Sequence, residues 1–260
     1  MDGEAGYADR DHPRGASCTK RSVQTVRGMA DACPWLEEDA MVLHKEKTLR
    51  GSPRISSRPP LPVPEALIEA TPVADVVRVP ERTVVAIDGV GPPEGAAFPA
   101  AIGAIYGVAY GIKFAQKARG KDFRIGPLEA LWWADPLPAS LAAAPRESWR
   151  WQLRMGVPGH VHAGEVSEVA RSLIDRQRHK AEIAAAAKGV RLLQIPAQTL
   201  GRILHVGPYA EEEQSIRAAQ AALVDAGLTP KGPHIEVYLN DPRRTASTRL
   251  KTVILIEPSR

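Results

Sequence analysis

Three polar residues alternate along one predicted strand near the C-terminal end of the sequence. The segment GPHIEVYLNDP, residues 232–242, places His234, Glu236 and Tyr238 two positions apart, and this spacing puts all three side chains on one face of a strand. An imidazole, a carboxylate and a phenol in line can bind a cation, position water, or act as general base and acid. The alternative is a solvated sheet face. We expect this polar face to point away from the helix that packs on the sheet.

Four tryptophans lie close together in the middle of the sequence. They could form walls that stack a planar ligand, and core packing is the alternative for each of them. We expect one or two to line a cleft, Trp132 first, and the others to fill the core. The four are Trp132, Trp133, Trp149 and Trp151.

A second carboxylate belongs to the segment GPLEALWWADP, residues 126–136. Glu129 shares a strand face with Leu131 and Trp133, whereas Trp132 lies on the other face. Such a carboxylate lies either in water at a strand edge or buried with a partner, because an unpaired buried charge is costly. Glu129 is therefore a second-choice ligand residue.

A long helix is predicted around residues 96–118, where apolar residues recur at helical spacing. Tyr106 and Tyr110, four residues apart, lie together beside this stripe, and one of them can reach a ligand site. The stripe consists of Phe98, Ile102, Ile105, Ala109 and Ile112.

The order of predicted elements repeats along the chain, which indicates a degenerate duplication. Strands, the long helix and two further strands fill residues 73–158, a linking helix is predicted at about 164–188, and the same pattern returns at 190–258. Gly91 and Pro92 match Gly207 and Pro208, and GPLEALWWADP matches GPHIEVYLNDP in length and at both ends. This predicts an α+β fold of two pseudo-twofold related β-α-β-β units with antiparallel sheets around a central ligand cleft.

Residues 1–72 differ from the remainder, being rich in Arg, Ser, Pro and Gly and ending in a Pro-rich linker. We expect a largely irregular extension followed by one domain at 73–258. An apolar patch at 29–43, around Trp35, could form a helix that docks on the domain. Both cysteines, Cys18 and Cys33, fall in the extension, so the domain has no disulfide framework or four-cysteine metal site.

The charge distribution argues against a nucleic-acid partner. The net charge is +4, but residues 1–60 hold 10 basic against 9 acidic residues, which leaves 24 against 21 elsewhere. Neither part concentrates positive charge as a nucleic-acid binder does. Without a signal peptide or a long unbroken apolar run, we expect a cytoplasmic protein that does not bind a membrane. No metal or organic cofactor is predicted.

Several strings, in order, resemble the GyrI-like small-molecule-binding family across residues 73–258. They are VVAIDGVGPPEG, AAIGAIYGVAYGIKF, PLEALWW, GPYAEEE, HIEVYLNDPRR and LKTVIL. The resemblance implies a duplicated fold of the SHS2 type with a central cleft, as in gyrase-inhibitor-like proteins and in effector domains of multidrug-sensing transcription activators.

The resemblance also assigns roles. The buried acid that meets cationic aromatic ligands in drug-sensing members falls on Glu236, together with Tyr238. The strings IDGxGxPxG, PLExLWW and YLxDPRR resemble the branch that includes enzymes hydrolysing the cyclopropane of DNA-alkylating antibiotics of the yatakemycin and CC-1065 type. One departure is Pro233, which stands where this branch commonly has the first of two histidines.

Two hypotheses of different class follow. In the first, the protein is a hydrolase that gives self-resistance: Glu236 activates a water that opens the cyclopropane, while a tyrosine donates to the carbonyl oxygen on which charge develops. In the second, the same pocket sequesters or senses planar aromatic or cationic compounds without catalysis. Inhibition of DNA gyrase through protein contact ranks last, because only the family name supports it.

The expected site follows from the first hypothesis. The residues predicted to act in catalysis are Glu236, Tyr238 and Tyr106. The residues predicted to bind the planar aromatic ligand are Trp132, Glu129, Tyr110, Trp133, Trp151 and His234.

Overall fold

The structure is a computed structural model that describes residues 58–135 and 141–259. The predicted docking patch at 29–43 and both cysteines lie outside the described residues. The strands are β1 (Asp75–Val79), β2 (Arg82–Val90), β3 (Leu128–Trp133), β4 (Arg150–Gly156), β5 (Arg191–Ile195), β6 (Gln198–Val206), β7 (Pro230–Tyr238) and β8 (Lys251–Pro258). The α-helices are α1 (Ala97–Ala118), α2 (Ala163–Arg176), α3 (Ala181–Ala187) and α4 (Glu213–Asp225).

All eight strands form one antiparallel sheet in the order β1-β6-β8-β7-β3-β4-β2-β5. The counterparts in the two halves are β1 and β5, β2 and β6, β3 and β7, and β4 and β8. If each strand is replaced by its counterpart, the order reads the same from the opposite end. A pseudo-twofold axis therefore passes between β3 and β7. The first strand of each half pairs with a strand of the other half: β1 pairs with β6, and β5 pairs with β2. The predicted α+β duplication is confirmed.

Paired glycines mark the same points in both halves. Gly91 and Gly207 follow β2 and β6 with φ of 103° and 148°, while Gly120 and Gly227 follow α1 and α4 with φ of 76° each. A positive φ costs least for glycine, which is why it often ends a helix. These positions let each half turn in the same way.

Helix α1 packs on the sheet through the predicted stripe, and all five stripe residues are buried. By length and composition it is also the one described helix that could cross a membrane, a test that a buried core helix passes as well. On its other side, Gly107 lies against Leu173 of α2 and Gly103 against Ile183 of α3.

The single linking helix predicted at 164–188 is wrong, because the chain forms two helices there, α2 and α3. The break falls in the run DRQRHK, residues 175–180, which contains no apolar side chain to hold a continuous helix against α1. Two shorter helices can each pack on α1 instead.

The other sheet face is covered by residues 61–70. Leu67 is fully buried there, in a cluster with Leu131, Ile235 and Val237 of the sheet. The chain is also anchored by Arg202, whose guanidinium donates to the carbonyl oxygens of Ala66 and Glu69 at 3.0 and 2.7 Å. Both faces of the sheet are therefore covered.

This cover explains why one prediction is wrong. We expected His234, Glu236 and Tyr238 to face away from the helix, but Tyr238 packs in the cluster formed by α1, Trp132 and Phe98. The apolar residues Ile235 and Val237 instead face the segment 61–70. The alternation of polar and apolar residues along a strand shows which residues share a face of the sheet. It does not show which face packs against the helix when both faces are covered.

Candidate functional site

Glu236 lies near the middle of the sheet, close to the pseudo-twofold axis, with 9% of its surface exposed. The Tyr238 hydroxyl donates to Oε2 at 2.7 Å, and His234 Nε2 lies 2.9 Å from Oε1. Each carboxylate oxygen can accept a further hydrogen bond, since an ionised carboxylate has about four acceptor positions. The carboxylate is thus oriented on both sides and still able to bind a ligand atom or a water.

Small and apolar neighbours flank this carboxylate across the sheet. Ala130 of β3 and Ile254 of β8 lie directly opposite Glu236, so on the β3 side only a methyl group stands beside it. Across from His234 lies Trp132. On the β3 side, the nearest neighbours of Glu236 and His234 are therefore a methyl group and an aromatic ring.

An aromatic cluster continues from Trp132. Its ring lies 5.1 Å from Phe98 of α1 and 6.1 Å from Trp149, measured between centroids. Trp151 packs edge-on to Phe98 and is 1% exposed, with its ring against Gly89, where an added Cβ would lie 2.1 Å away. Trp151 is thus a core residue, while Trp132 lies between the core and Glu236.

Two tyrosines form the other border of the site. Tyr209, in a short 3-10 turn that precedes α4, packs edge-on to Tyr238 with 5.7 Å between centroids. Burial, followed by the charge of Glu236, raises the pKa of both phenols well above the usual value. Both hydroxyls therefore stay protonated near neutral pH and act as donors.

Glu212 is a site residue that the sequence interpretation missed. It is 5% exposed, and it lies beside Glu236 and Thr252 at the N-cap position, directly before α4. Burial, followed by the charge of Glu236, raises the pKa of its carboxyl well above the usual range. A signal was present, because Glu212 continues the stripe of Ile216, Ala219 and Leu223 at helical spacing.

Two residues predicted to bind the ligand lie on the opposite sheet face. Glu129 is 1% exposed and pairs with Arg82, with Nη2 2.7 Å from Oε2. Trp133 packs against the cluster around Leu67. The structure does not bring either residue to Glu236.

Tyr106 and Tyr110 stay on α1, where their rings stack with 6.5 Å between centroids. Tyr106 packs at the edge of the cluster that contains Trp132 and Tyr238. Burial raises the pKa of the Tyr110 phenol. Tyr106 thus lies nearer to the site than Glu129 does, and its predicted role stays a prediction.

A groove of about 700 Å³ lies elsewhere, between residues 61–64 and the start of β2. Arg82 lines it, but its described lining residues include no aromatic side chain. This groove therefore lacks the stacking surfaces that the predicted planar ligand needs, and the Glu236 side of the sheet stays the predicted ligand site.

One family model matches part of the sequence. Residues 166–257, which include β7, α4 and Glu236, match the model of the GyrI-like small molecule binding domain. Over these residues the chain is similar to that domain. No curated protein matches the sequence significantly.

Solved structures with the same fold come from Listeria innocua. An uncharacterized conserved protein shares the fold at 24% identity and a TM-score of 0.64, covering 73% of this chain and 94% of that one. A hydrolase from the same organism is 25% identical with a TM-score of 0.62, covering 73% and 93%. A further hydrolase structure is 24% identical with a TM-score of 0.61, covering 74% and 94%.

Proposed function

We propose that this GyrI-like protein is a hydrolase of planar aromatic electrophiles that opens the cyclopropane of DNA-alkylating antibiotics and thereby gives self-resistance. The observation that carries the proposal is the buried Glu236 carboxylate, held by Tyr238 at 2.7 Å and His234 at 2.9 Å beside the aromatic wall of Trp132. The hydrolases from Listeria innocua that share the fold add support, one of them at 25% identity.

Glu236 acts as general base in this proposal. A water held at its free lone pairs attacks a methylene carbon of the cyclopropane, the new C–O bond forms, and the strained C–C bond breaks. Glu236 takes the proton of the water, and the electron pair of the broken bond passes into the conjugated ring to leave a phenolate.

A protonated group must meet the developing phenolate. Tyr209 keeps its proton because burial raises its pKa, so it can donate a hydrogen bond to an anionic oxygen, whereas the single proton of Tyr238 is already donated to Glu236. Tyr106, at the edge of the same cluster, is the further donor that we predict. The product is the water adduct of the antibiotic, which has lost the ring that alkylates DNA.

A non-catalytic role is the second candidate, and one observation favours it. Glu212 and Glu236 lie side by side, and within residues 58–135 and 141–259 neither forms an ion pair with a lysine or arginine. Such an acidic, aromatic site suits a cationic planar compound that is sequestered or sensed rather than converted. Binding without turnover would favour this role.

The test follows conversion of a cyclopropane-bearing DNA alkylator to its water adduct by mass spectrometry. The wild type should turn over many equivalents. Glu236→Gln should lose at least about a hundredfold in rate, the lower range for loss of a general base. Glu168→Gln, at an exposed position on α2, is the matched control and should keep the wild-type rate. Equal rates for Glu236→Gln and wild type would exclude Glu236 as the base.

A further inference from the structure

A charged cluster lies on the sheet face opposite to Glu236. Arg82 of β2 and Glu129 of β3 are joined at 2.7 Å between Nη2 and Oε2, and their side chains are 4% and 1% exposed. Arg154 of β4 lies directly across from Glu129 and is 7% exposed. The cluster therefore contains two buried guanidinium groups and one buried carboxylate.

One carboxylate leaves much of this positive charge without a partner. Among the described residues, no hydrogen bond reaches Nε and Nη1 of Arg82 or Nη1 of Arg154, although all three atoms are buried. Burial lowers the pKa of the Arg154 guanidinium; the charge of Glu129 counteracts this effect, and the charge of Arg82 adds to it. A buried charge without a partner is costly, so the cluster favours a further anion.

The other acids near the cluster are engaged elsewhere or lie in water. Asp88 forms an ion pair with Arg191 at 2.6 Å, and Glu257 accepts a hydrogen bond from Gln198 at 3.0 Å. Glu81 is exposed. In the described part of the chain, none of these three carboxylates forms an ion pair with either buried arginine.

The groove of about 700 Å³ borders this cluster, because Arg82 forms part of its wall. Residues 61–64 and Val157 supply apolar surface. Thr83 donates its hydroxyl hydrogen to Oε1 of Gln194 at 3.0 Å, which leaves the amide N–H groups of Gln194 able to donate to a ligand. Because its described lining contains no aromatic side chain, the groove suits an aliphatic molecule that carries an acceptor group.

We propose that the groove binds a small aliphatic monocarboxylate, with its carboxylate on the guanidinium of Arg82 and its hydrocarbon part against residues 61–64. A guanidinium is planar, and its N–H groups match the geometry of a carboxylate. One further negative charge balances the two guanidinium groups and the one carboxylate of the cluster. A dianion such as phosphate would be repelled by Glu129 and by Glu81 in the groove wall.

This site differs from the proposed site at Glu236 in position and in ligand charge. It lies on the sheet side that residues 61–70 cover, and it selects an anion rather than a planar aromatic compound. The inference therefore goes beyond the proposed hydrolysis and does not depend on it.

The guanidinium can be removed without leaving a buried charge behind. Arg82→Gln alone would leave Glu129 unpaired, so the test uses the double variant Arg82→Gln/Glu129→Gln, which removes both charges of the pair. The matched control is Asp175→Asn/Arg178→Gln, which removes an exposed ion pair at the end of α2. Both double variants keep the net charge of the wild type.

Isothermal titration of the full-length protein compares cyclohexanecarboxylate with the uncharged cyclohexanecarboxamide. Wild type and the control should bind the carboxylate at least about tenfold more tightly than the amide, because hydrogen bonds between charged groups are the stronger ones. Arg82→Gln/Glu129→Gln should lose at least about tenfold in affinity for the carboxylate. Failure of the wild type to bind the carboxylate, equal affinities for the two probes, or unchanged affinity in this variant would overturn the inference.

A second variant tests the groove without changing charge. Gly159 lines the groove and is exposed, and an added Cβ would lie 3.8 Å from Thr83 Oγ1, which is an ordinary contact. Gly159→Leu therefore places a side chain in the groove and should weaken carboxylate binding by at least about tenfold. Circular dichroism checks that each variant is folded. Full affinity in folded Gly159→Leu would place the anion elsewhere and would also overturn the inference.

Discussion

Ala130 and Glu236 lie directly opposite each other on β3 and β7, and each is the counterpart of the other in the duplicated sequence. The pseudo-twofold axis therefore passes between a methyl group and a carboxylate. Divergence at one pair of equivalent positions has given a carboxylate in one half and a methyl group in the other. The fold is symmetric at this point, but its chemistry is not.

The first prediction concerns the methyl group of Ala130. Ala130→Val keeps a residue that suits a strand but adds two methyl groups beside Glu236. We expect ligand affinity to fall by about tenfold or more, equivalent to ~1.4 kcal/mol, with a stability loss of about 1 to 3 kcal/mol from overpacking. Isothermal titration with a planar aromatic ligand measures the first effect and urea unfolding the second. Unchanged affinity would place the ligand elsewhere.

Glu129 should prove structural rather than ligand-binding. Glu129→Gln leaves Arg82 buried without its countercharge, at a pair now joined at 2.7 Å, so unfolding should become easier by about 3 to 5 kcal/mol. Ligand affinity of the folded protein should stay within about twofold of wild type, a difference of ~0.4 kcal/mol. A large loss of affinity at unchanged stability would return Glu129 to the ligand site.

Residues 61–70 should contribute to the stability of the sheet. Leu67 is fully buried against it, so Leu67→Ala should lower the free energy of unfolding by about 2 to 5 kcal/mol. Val73→Ala provides the matched control, because Val73 is 75% exposed and should change stability by less than about 0.5 kcal/mol. Equal effects in urea unfolding would show that the segment does not stabilise the sheet.

Glu212→Gln should alter how stability depends on pH. Above pH 4.5, Glu212 keeps its proton in the folded protein but has lost it in the unfolded chain. The free energy of unfolding of the wild type therefore falls as the pH rises from 4.5 to the raised pKa of Glu212. Gln resembles the protonated form and removes this loss. Within that pH window, the free energy of unfolding of the variant should therefore rise relative to the wild type by up to about 1.4 kcal/mol per pH unit. A constant difference between pH 4 and 8 would contradict the raised pKa.

Much of the fold was predictable from local pattern. The strands, the long helix and the duplication follow from alternation, helical spacing and matched Gly-Pro and Asp-Pro signals, and Trp132 does share a face with Tyr238 as the alignment predicts. Alternation could not predict that residues 61–70 cover the second sheet face. This cover makes Ile235 and Val237 buried on one side while Glu236 faces the helices.

The acidic pair was harder to predict for a different reason. Three consecutive glutamates, 211–213, lead into α4, and acids are common at the start of a helix because they favour its dipole. Only the phase of the helix distinguishes buried Glu212 from exposed Glu211. Its closeness to Glu236, about two dozen residues further on, is a tertiary contact that no local spacing encodes.

The most direct test of the account is the source of the oxygen in the reaction product. A cyclopropane-bearing DNA alkylator is incubated with the protein in ¹⁸O-labelled water, and the product is weighed and fragmented in a mass spectrometer, with Glu236→Gln in parallel. The account predicts catalytic formation of a water adduct with one ¹⁸O on the opened methylene carbon by wild type, and a rate close to background for Glu236→Gln. An equally fast Glu236→Gln, or a wild type that leaves the ring intact, would contradict it.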